Sequence, residues 1–453
     1  MGDVIATPGT VAGVALQPVD VVKLIDNHPV GPLQIRVVIL CGMAALLDGF
    51  DLLAIGVAAP GMARTLVITP DQLGILFSAA LLGLMLGAFG LGPIADRIGR
   101  RRLLIGATTA FGLSTLFTAC ATDLRQVVLL RFLAGVGLGG AMPSFISLAA
   151  EYTPRRRRRQ VVALLWTGFP MGGVLVGLLA SWLIPAAGWR MLFAVGGLLP
   201  LALALLLLWA LPESITFLVR DGRAVGTARI TLMRIAPLAG IGPGSRIICP
   251  SEPEESGVAA LFQRGRRPIT ALLWGSYFST FLMLITSTAW VPTLLERAGL
   301  EPGTAADGVT LFALGSVVGT PLAGILLTRF GTGSVLTTTL LFGSLAVGAL
   351  GPIGPVRGPA LACLFCAGFC LGAASSGLIA VAPLLYPTRI RSTAIGWAMG
   401  WGRAGSFVGP LLIGGLLSSG WSISGAFLAL GLTGLAGGLL TQRLGERIER
   451  VKS

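Results

Sequence analysis

The chain has 453 residues, of which 54% are hydrophobic and only 11% are charged, and its formal net charge is +14 at pH 7. Soluble globular domains carry about 25% charged residues, so this composition excludes an ordinary soluble domain and indicates a polytopic membrane protein. A basic chain could be a nucleic-acid-binding protein, but here the basic residues fall mainly in loops between apolar segments.

Twelve apolar segments follow one another along the chain, and each is long enough to cross a bilayer as a helix. In chain order they lie at roughly 37–59, 72–94, 103–122, 126–149, 161–184, 190–211, 269–293, 308–328, 333–353, 359–383, 393–417 and 421–441. The sequence therefore predicts an all-α membrane protein of twelve transmembrane helices. We expect a tail at 1–35, a six-helix bundle at 36–211, a partly helical linker at 212–268, a second bundle at 269–441 and a tail at 442–453.

The basic residues are divided unequally between the two sides of the membrane. Two arginines, Arg131 and Arg403, lie inside predicted spans, and the side without the chain ends carries only Arg64, Arg125, Arg190, Arg297 and Arg357. Lys and Arg concentrate on the cytoplasmic side of membrane proteins. We therefore predict that both termini and the linker are cytoplasmic. The N-terminal tail lacks the pattern of a cleavable signal peptide.

Two loop motifs occur once in each half of the chain. The stretch Gly92–Arg102 resembles Gly324–Gly331, and Glu151–Arg156 resembles Leu385–Arg391. The two pairs are separated by nearly the same distance along the chain, which indicates a duplicated six-helix unit. Parallel repeats of this kind build two-bundle secondary transporters, so we expect two pseudo-symmetric bundles.

Two aspartates, Asp48 and Asp51, lie in an otherwise uncharged apolar segment. A carboxylate near the centre of a membrane helix costs about 2.5–3.5 kcal/mol on insertion scales. Residues three positions apart are neighbours on a helix surface. Such a pair is a candidate for proton coupling, since burial and a nearby arginine act in opposite directions on carboxylate protonation. The only histidine, His28, lies in the tail, which excludes a histidine relay in the membrane.

The turn after the second span is very short for a link between membrane helices. It contains Asp96, Arg97, Gly99, Arg100 and Arg101. Glycine permits a tight reversal, and the aspartate can pair with an arginine or with a helix N-terminus. We interpret the turn as a cytoplasmic gate that latches one bundle to the other. The alternative is an ordinary topogenic arginine cluster.

The turn Asp96–Arg102 and the run Arg131–Pro143 in the fourth span resemble motifs of the major facilitator superfamily. The motif Asp48-Gly49-Phe50-Asp51 is similar to that of its aromatic acid:proton symporter family, the group of 4-hydroxybenzoate and protocatechuate carriers. This resemblance implies two six-helix bundles around a midplane cavity and proton-coupled uptake of a small aromatic carboxylate across the bacterial inner membrane. Two positions depart from the pattern, Thr328 where the repeat has Asp96, and Ser144, which could change substrate preference.

Two arginines inside the membrane are candidates to bind the carboxylate, because a guanidinium is always charged and can donate two parallel hydrogen bonds. Arg131 could bind the substrate anion or pair with Asp48 or Asp51. Arg403 could also bind the substrate, although it could instead lie near the cytoplasmic end of its span. Aromatic side chains suited to a flat apolar slot are Trp166, Tyr277, Trp290 and Trp401, any of which could instead be an interface anchor.

Other functions receive less support from the sequence. A drug or metabolite exporter would share the architecture, and a symporter for muconate or a dicarboxylate would need more cationic cavity residues. A non-transporting sensor would carry a signalling domain. The sequence has no motif for a catalytic site, a metal site or a cofactor, and Gly135–Gly140 indicates close helix packing rather than a nucleotide loop. We expect a monomer whose partners are the substrate, protons and lipid, with no nucleic acid.

Overall fold

A computed structural model describes residues 19–221, 225–237, 247–249, 258–263, 266–354, 356–386 and 388–452. Long helices make up most of these ranges. The helices are α1 (Val21–Asn27), α2 (Pro32–Leu66), α3 (Pro70–Ile98), α4 (Arg100–Thr118), α5 (Leu124–Glu151), α6 (Arg155–Ala210), α7 (Ile215–Arg220), α8 (Val225–Ile235), α9 (Arg267–Arg297), α10 (Pro302–Phe330), α11 (Thr332–Ile353), α12 (Arg357–Val381), α13 (Thr388–Ser418) and α14 (Ile423–Lys452).

All twelve predicted membrane segments are helical in the structure. Within the described ranges, nine helices are long and apolar enough to cross a bilayer, namely α2, α3, α5, α6, α9, α10, α11, α12 and α14. Helix α6 contains two of the predicted segments. Gly188, which lies in the predicted gap between them, takes non-helical angles (φ 75°, ψ 177°) and so divides the helix into two spans. Helices α4 and α13 occupy the third and eleventh segments.

The helices form two halves with related architecture. Helices α2 to α6 pack on one another, and α9 to α14 form a second group. Helices α3 and α4 begin at Pro70 and Arg100, and their counterparts α10 and α11 begin at Pro302 and Thr332. The interval from the start of α3 to that of α10 is the same as the interval from the start of α4 to that of α11. It also equals the interval between the two copies of the first loop motif, which confirms the predicted duplication. The halves meet where α2 contacts α9, α3 contacts α13 and α6 contacts α10.

Glycine-mediated contacts bring helix backbones together within the first half. A Cβ on Gly135 would collide with the Ala80 carbonyl oxygen, and one on Gly139 would collide with that of Leu84. Conversely, a Cβ on Gly83 would collide with a carbonyl oxygen of α5. These glycines let α3 and α5 approach closely, as small residues do in membrane interfaces. The structure thus confirms the packing role predicted for the glycines of the fourth span.

Short elements lie on the side of the helix array where α2 begins and α14 ends, which we call the tail side; the opposite face is the far side. Strand β1 (Val19–Asp20) pairs in parallel with β2 (Ile247–Ile248). Helices α7 and α8 and a 3₁₀ turn at Val258–Phe262 follow α6 along the chain. A second 3₁₀ turn, Ala382–Leu384, follows α12. The acidic cluster 251–255 of the predicted linker lies outside the described residues.

Candidate functional site

A cavity lies between the two halves, near the middle of the long helices. Helices α2, α3, α5 and α6 line it from the first half, and α9, α10, α12 and α13 line it from the second. Its wall carries one acidic and one basic side chain, Asp48 and Arg403, together with the aromatic rings of Trp166, Phe169 and Phe281. An apolar pocket with a few polar groups is the usual form of a small-molecule site.

The Asp-Gly-Phe-Asp motif of α2 directs its four residues to different surroundings. Gly49 faces α6, where a Cβ would collide with the Phe169 carbonyl oxygen. Phe50 is 1% exposed and its ring lies beside Gly196 in the second span of α6. Asp48 faces the cavity. The close α2–α6 contact at Gly49 therefore positions one aspartate next to the aromatic wall formed by α6.

Asp48 and Arg403 are weakly partnered for charged groups inside a protein. Asp48 is 4% exposed, and its Oδ1 atom has no hydrogen-bond partner within the described part of the chain. Arg403 donates from Nη2 to the Met142 sulfur at 2.7 Å. A thioether is a weak acceptor, so the guanidinium retains most of its capacity to bind an anion. The two charges share one cavity without forming a direct ion pair in the described structure.

Asp51 instead belongs to a buried polar network inside the first half. The Arg131 Nη1 atom donates to its two carboxylate oxygens at 3.1 and 3.2 Å, and both side chains are 1% exposed. Nη2 of the arginine donates to Thr115 and Thr118 at 2.9 and 3.1 Å. The guanidinium also lies over the ring of Phe193, 5.0 Å from its centroid.

The structure distinguishes the two arginines whose roles the sequence left undetermined. Arg131 is absent from the cavity wall and is held by the carboxylate of Asp51. Of its two predicted roles, this geometry favours pairing with an aspartate of α2. Arg403 lies midway along α13 and lines the cavity, rather than lying near a membrane surface. The two arginines therefore have different surroundings, one inside the first half and one at the cavity between the halves.

Two of the other predicted substrate residues on the first half have different positions. Trp166 lines the cavity as expected. Ser144 is 2% exposed, and its hydroxyl donates to the Gly140 carbonyl oxygen at 3.1 Å within α5. The wall of the cavity does not include Ser144 in this conformation, and its contact with substrate stays a prediction.

Three predicted aromatic residues of the second half are absent from the cavity wall. Tyr277 is fully buried and stacks on Phe281, with centroids 5.9 Å apart. Trp290 donates from Nε1 to the Pro410 carbonyl oxygen at 3.1 Å. Trp401 is 41% exposed and stacks on a neighbouring tryptophan of α9. Tyr277 and Trp290 are thus enclosed by protein in this conformation, whereas Trp401 is partly exposed.

Sequence reasoning missed a group of hydroxyl side chains on α10 and α12. Four of them line the cavity, namely Ser316, Thr320, Ser375 and Ser376. The helical spacing of the two on α10 and the adjacent serines in α12 were the available signals, because residues four apart share a helix face. Hydroxyls are common in membrane helices, however, and their spacing alone does not say which face meets a cavity.

The predicted gate residues on the tail side form a network within the first half. Gly99 is the single residue between α3 and α4 and takes φ 101°, a left-handed conformation that favours glycine. Arg100 pairs with Glu151 and lies 3.7 Å from Asp96. The backbone N–H of Arg101 donates to the carboxylate of a glutamate after α6 at 2.8 Å. In this conformation the turn connects helices of one half.

A tyrosine at the end of α5 strengthens the same network. The Tyr152 hydroxyl donates to the Glu213 carbonyl oxygen at 2.7 Å. Burial raises the pKa of this phenol, and the nearby charges of Glu151 and Glu213 raise it further. Tyr152 therefore remains neutral and keeps its proton for the hydrogen bond. On the other face of the turn, Asp96 and Arg97 are exposed, and Asp96 remains accessible to another partner.

Contacts between the halves concentrate on the far side. Arg64 at the end of α2 forms an ion pair of 3.1 Å with Glu296 at the end of α9. The Ser418 hydroxyl donates to Asp71 across the α13–α3 contact at 3.3 Å. A Cβ on Gly56 would approach a carbonyl oxygen of α9 within 2.5 Å.

Comparisons with known proteins agree with this architecture. The sequence profile described as Major Facilitator Superfamily matches residues 41–410 and 273–452. A gallate transporter from Pseudomonas putida is 36% identical over 422 residues, covering 93% of this chain and 94% of the relative. The 4-hydroxybenzoate transporter PcaK of the same organism is 37% identical over 418 residues, covering 91% and 92%.

A solved structure shares the fold at lower sequence similarity. A D-xylose-proton symporter superposes with a TM-score of 0.71 at 18% identity, covering 90% of this chain and 97% of that one. The matching profile covers most of the chain, and the two curated relatives are identical to it at more than a third of the aligned positions over nearly all of its length. The chain is thus a multi-pass membrane transporter and not an enzyme. It belongs to the major facilitator superfamily, as its loop and helix motifs predicted.

Proposed function

We propose that this protein takes up a small aromatic carboxylate together with protons by alternating access. The observation that carries the proposal is the central cavity, in which Arg403 and an unpartnered Asp48 Oδ1 atom, within the described residues, face a wall of aromatic side chains. The relatives named as transporters of gallate and 4-hydroxybenzoate support the class of substrate. Both named substrates combine a flat ring with a carboxylate, and the cavity offers a surface for each part.

Arg403 is the residue to which we assign the substrate carboxylate. A planar guanidinium donates two parallel hydrogen bonds to a carboxylate, and the present partner of Arg403 is only the Met142 sulfur within the described structure. Phe169, Phe281 and Trp166 provide apolar surface for the ring. Binding would replace a weak contact of the arginine with a charge-assisted hydrogen bond. This position therefore favours a substrate with a carboxylate.

Asp48 is the residue to which we assign the transported proton. A buried carboxylate without hydrogen-bond donors is costly to keep charged, and protonation removes that cost. Its Oδ1 atom lacks a partner within the described residues, whereas Asp51 is neutralised by Arg131. We assign Asp51 and Arg131 to holding α2, α4 and α5 together, with the cavity-facing aspartate exchanging the proton as access alternates.

The arrangement of the chain supports uptake into the cytoplasm. The excess of Arg and Lys on the tail side supports cytoplasmic termini in a bacterial inner membrane. The far-side contacts between the halves then correspond to a conformation that is closed on the side opposite the cytoplasm. We propose a monomer of two bundles, divided by the linker 212–268, that rock about the central site. The turn at Asp96–Arg101 would contact the second half when the tail side closes.

Gradient-driven accumulation tests the proposed function. We expect wild-type protein in liposomes to accumulate labelled 4-hydroxybenzoate under an inside-alkaline pH gradient, and a protonophore to abolish the accumulation. Asp48→Asn should lose accumulation above equilibrium yet still exchange internal for external substrate, because it cannot release a proton. Uptake that is indifferent to the gradient would contradict symport. Normal accumulation by Asp48→Asn would remove the role of this residue, and net efflux would favour an exporter.

The far-side ion pair should influence which conformation is populated. Exposed ion pairs contribute up to about 1 kcal/mol, and the side chain of Arg64 is 62% exposed. We expect Glu296→Gln to increase the population open on the far side about two- to five-fold. Spin labels at Val67 and Trp421, in a background without native cysteines, measure this as a longer distance between the halves.

A matched control for the far-side ion pair is available within the second half. Arg357 and Asp307 also form an exposed ion pair, with a distance of 2.9 Å, but both residues lie in the second half. Asp307→Asn should leave the distance distribution between the two labels unchanged. An unchanged distribution in Glu296→Gln, or an equal shift in Asp307→Asn, would show that the ion pair between the halves does not control opening.

A further inference from the structure

The part of the cavity wall formed by α10 and α12 carries four hydroxyl groups. Ser316 and Thr320 are one helical turn apart on α10, and Ser375 and Ser376 are adjacent on α12. These four residues, which we call the hydroxyl wall, belong to the second half of the protein. Asp48 and the α6 residues of the cavity belong to the first half.

Two hydroxyls of the wall already donate within their own half. Ser316 donates to the Gly368 carbonyl oxygen and Ser375 to that of Gly372, both at 2.9 Å. Their oxygen lone pairs remain available as acceptors. A phenolic hydroxyl entering the cavity could donate to these oxygens without breaking any existing hydrogen bond.

The other two hydroxyls lack partners. Thr320 is 7% exposed, and neither Thr320 nor Ser376 has a hydrogen-bond partner in the part of the chain that the structure describes. Thr320 is buried, whereas Ser376 is half-buried. Both line the cavity, and a ligand atom in the cavity would provide the missing partner.

The hydroxyl wall also lies in a suitable direction from Arg403. Arg403 lies at the middle of α13, whereas Thr320 and Ser376 lie nearer to the tail-side ends of α10 and α12 than to their far-side starts. The wall therefore lies closer to the tail side than the arginine does. An acid whose carboxylate binds Arg403 and whose ring extends towards the tail side would meet these hydroxyls.

We infer that the hydroxyl wall is a specificity subsite that selects aromatic monocarboxylates with ring hydroxyls over unsubstituted ones, an inference that rests on the proposed function. The ring hydroxyl donates its one proton to the oxygen of Ser316 or Ser375, and it accepts from Thr320 and Ser376. An acid without a ring hydroxyl gives the hydroxyls of the wall no partner, and sites built for a substrate hydroxyl reject analogues that lack it for this reason.

Equilibrium binding to purified protein tests this subsite, with 4-hydroxybenzoate and benzoate as probes. We expect wild-type protein to bind 4-hydroxybenzoate at least about 10-fold more tightly than benzoate. The double variant Thr320→Val/Ser376→Ala should lower this ratio about five- to ten-fold by weakening 4-hydroxybenzoate binding alone. Thr320→Ser, which keeps a hydroxyl, should retain most of the preference.

The control variant is Thr338→Val on α11. Its hydroxyl is exposed and donates to the Ser334 carbonyl oxygen of the same helix, so the binding ratio should not change. Equal affinities of the wild type for the two acids, or an equal loss of both in the double variant, would overturn the subsite while leaving aromatic acid transport in place. Failure of the wild type to bind either acid would overturn the proposed function as well.

Discussion

Arg403→Gln is expected to weaken binding of an aromatic carboxylate about 100-fold or more, because two charge-assisted hydrogen bonds are lost from a site with low dielectric. Arg403→Lys keeps the charge but loses the planar pair of donors, so it should show an intermediate loss of about 10-fold. Binding of labelled 4-hydroxybenzoate to purified protein measures both. The thermal midpoint should change little, since the only hydrogen bond of Arg403 within the described residues is to a thioether.

Arg329→Gln provides a matched control for the loss of one positive charge. Arg329 lies at the tail-side end of α10 and contacts the ring of Phe330, outside the cavity wall. Binding should be unchanged in this variant. Unaltered affinity in Arg403→Gln would show that the carboxylate binds elsewhere, and Arg131 would then become the arginine to test for direct substrate contact.

Arg131→Gln should act mainly on stability. It leaves the carboxylate of Asp51 buried with an exposed fraction of 1% and without its cation. Breaking a buried ion pair by removing one partner typically costs about 3–5 kcal/mol. We therefore expect a large decrease in the thermal midpoint of the purified protein, with loss of uptake following from that instability. Circular dichroism during heating in detergent measures the effect.

The double variant Asp51→Asn/Arg131→Gln separates stability from chemistry. Removing both charges eliminates the uncompensated carboxylate, so the thermal midpoint should recover much of the loss. Asp48→Asn is the contrasting variant, and it should keep the wild-type midpoint because the Oδ1 atom of Asp48 has no partner to lose within the described residues. A stable Arg131→Gln protein with weakened substrate affinity would contradict our assignment and favour a direct role in binding.

Much of the fold follows from local properties of the sequence. An apolar run of about 20 residues must satisfy its backbone hydrogen bonds internally in lipid, so it becomes a helix wherever it lies in the chain. The break at Gly188 and the reversal at Gly99 depend on backbone conformations that favour glycine. The duplication was visible as a repeated motif, and the helix starts reproduce its offset.

The candidate site was only partly predictable, as the two aspartates illustrate. Their cost in an apolar segment identified Asp48 and Asp51 as functional candidates, but their spacing along one helix leaves their partners undetermined. Asp51 meets Arg131 because α5 packs beside α2, whereas Asp48 faces a cavity that α13 completes. Trp290 and Tyr277 were equally plausible cavity residues by composition, yet they pack against protein and are absent from the cavity wall.

The sequence by itself determined that this protein has twelve membrane helices in two related halves, that it belongs to a transporter superfamily, and that its intramembrane charges are few. These features depend on hydrophobicity, loop charge and local backbone conformation, each of which acts over one helix or one turn. Only the tertiary structure decided that Arg403 and Asp48 share the cavity while Arg131 is paired with Asp51. The physical reason is that the environment of a charge in the membrane depends on which neighbouring helices surround it, and those neighbours come from distant parts of the chain.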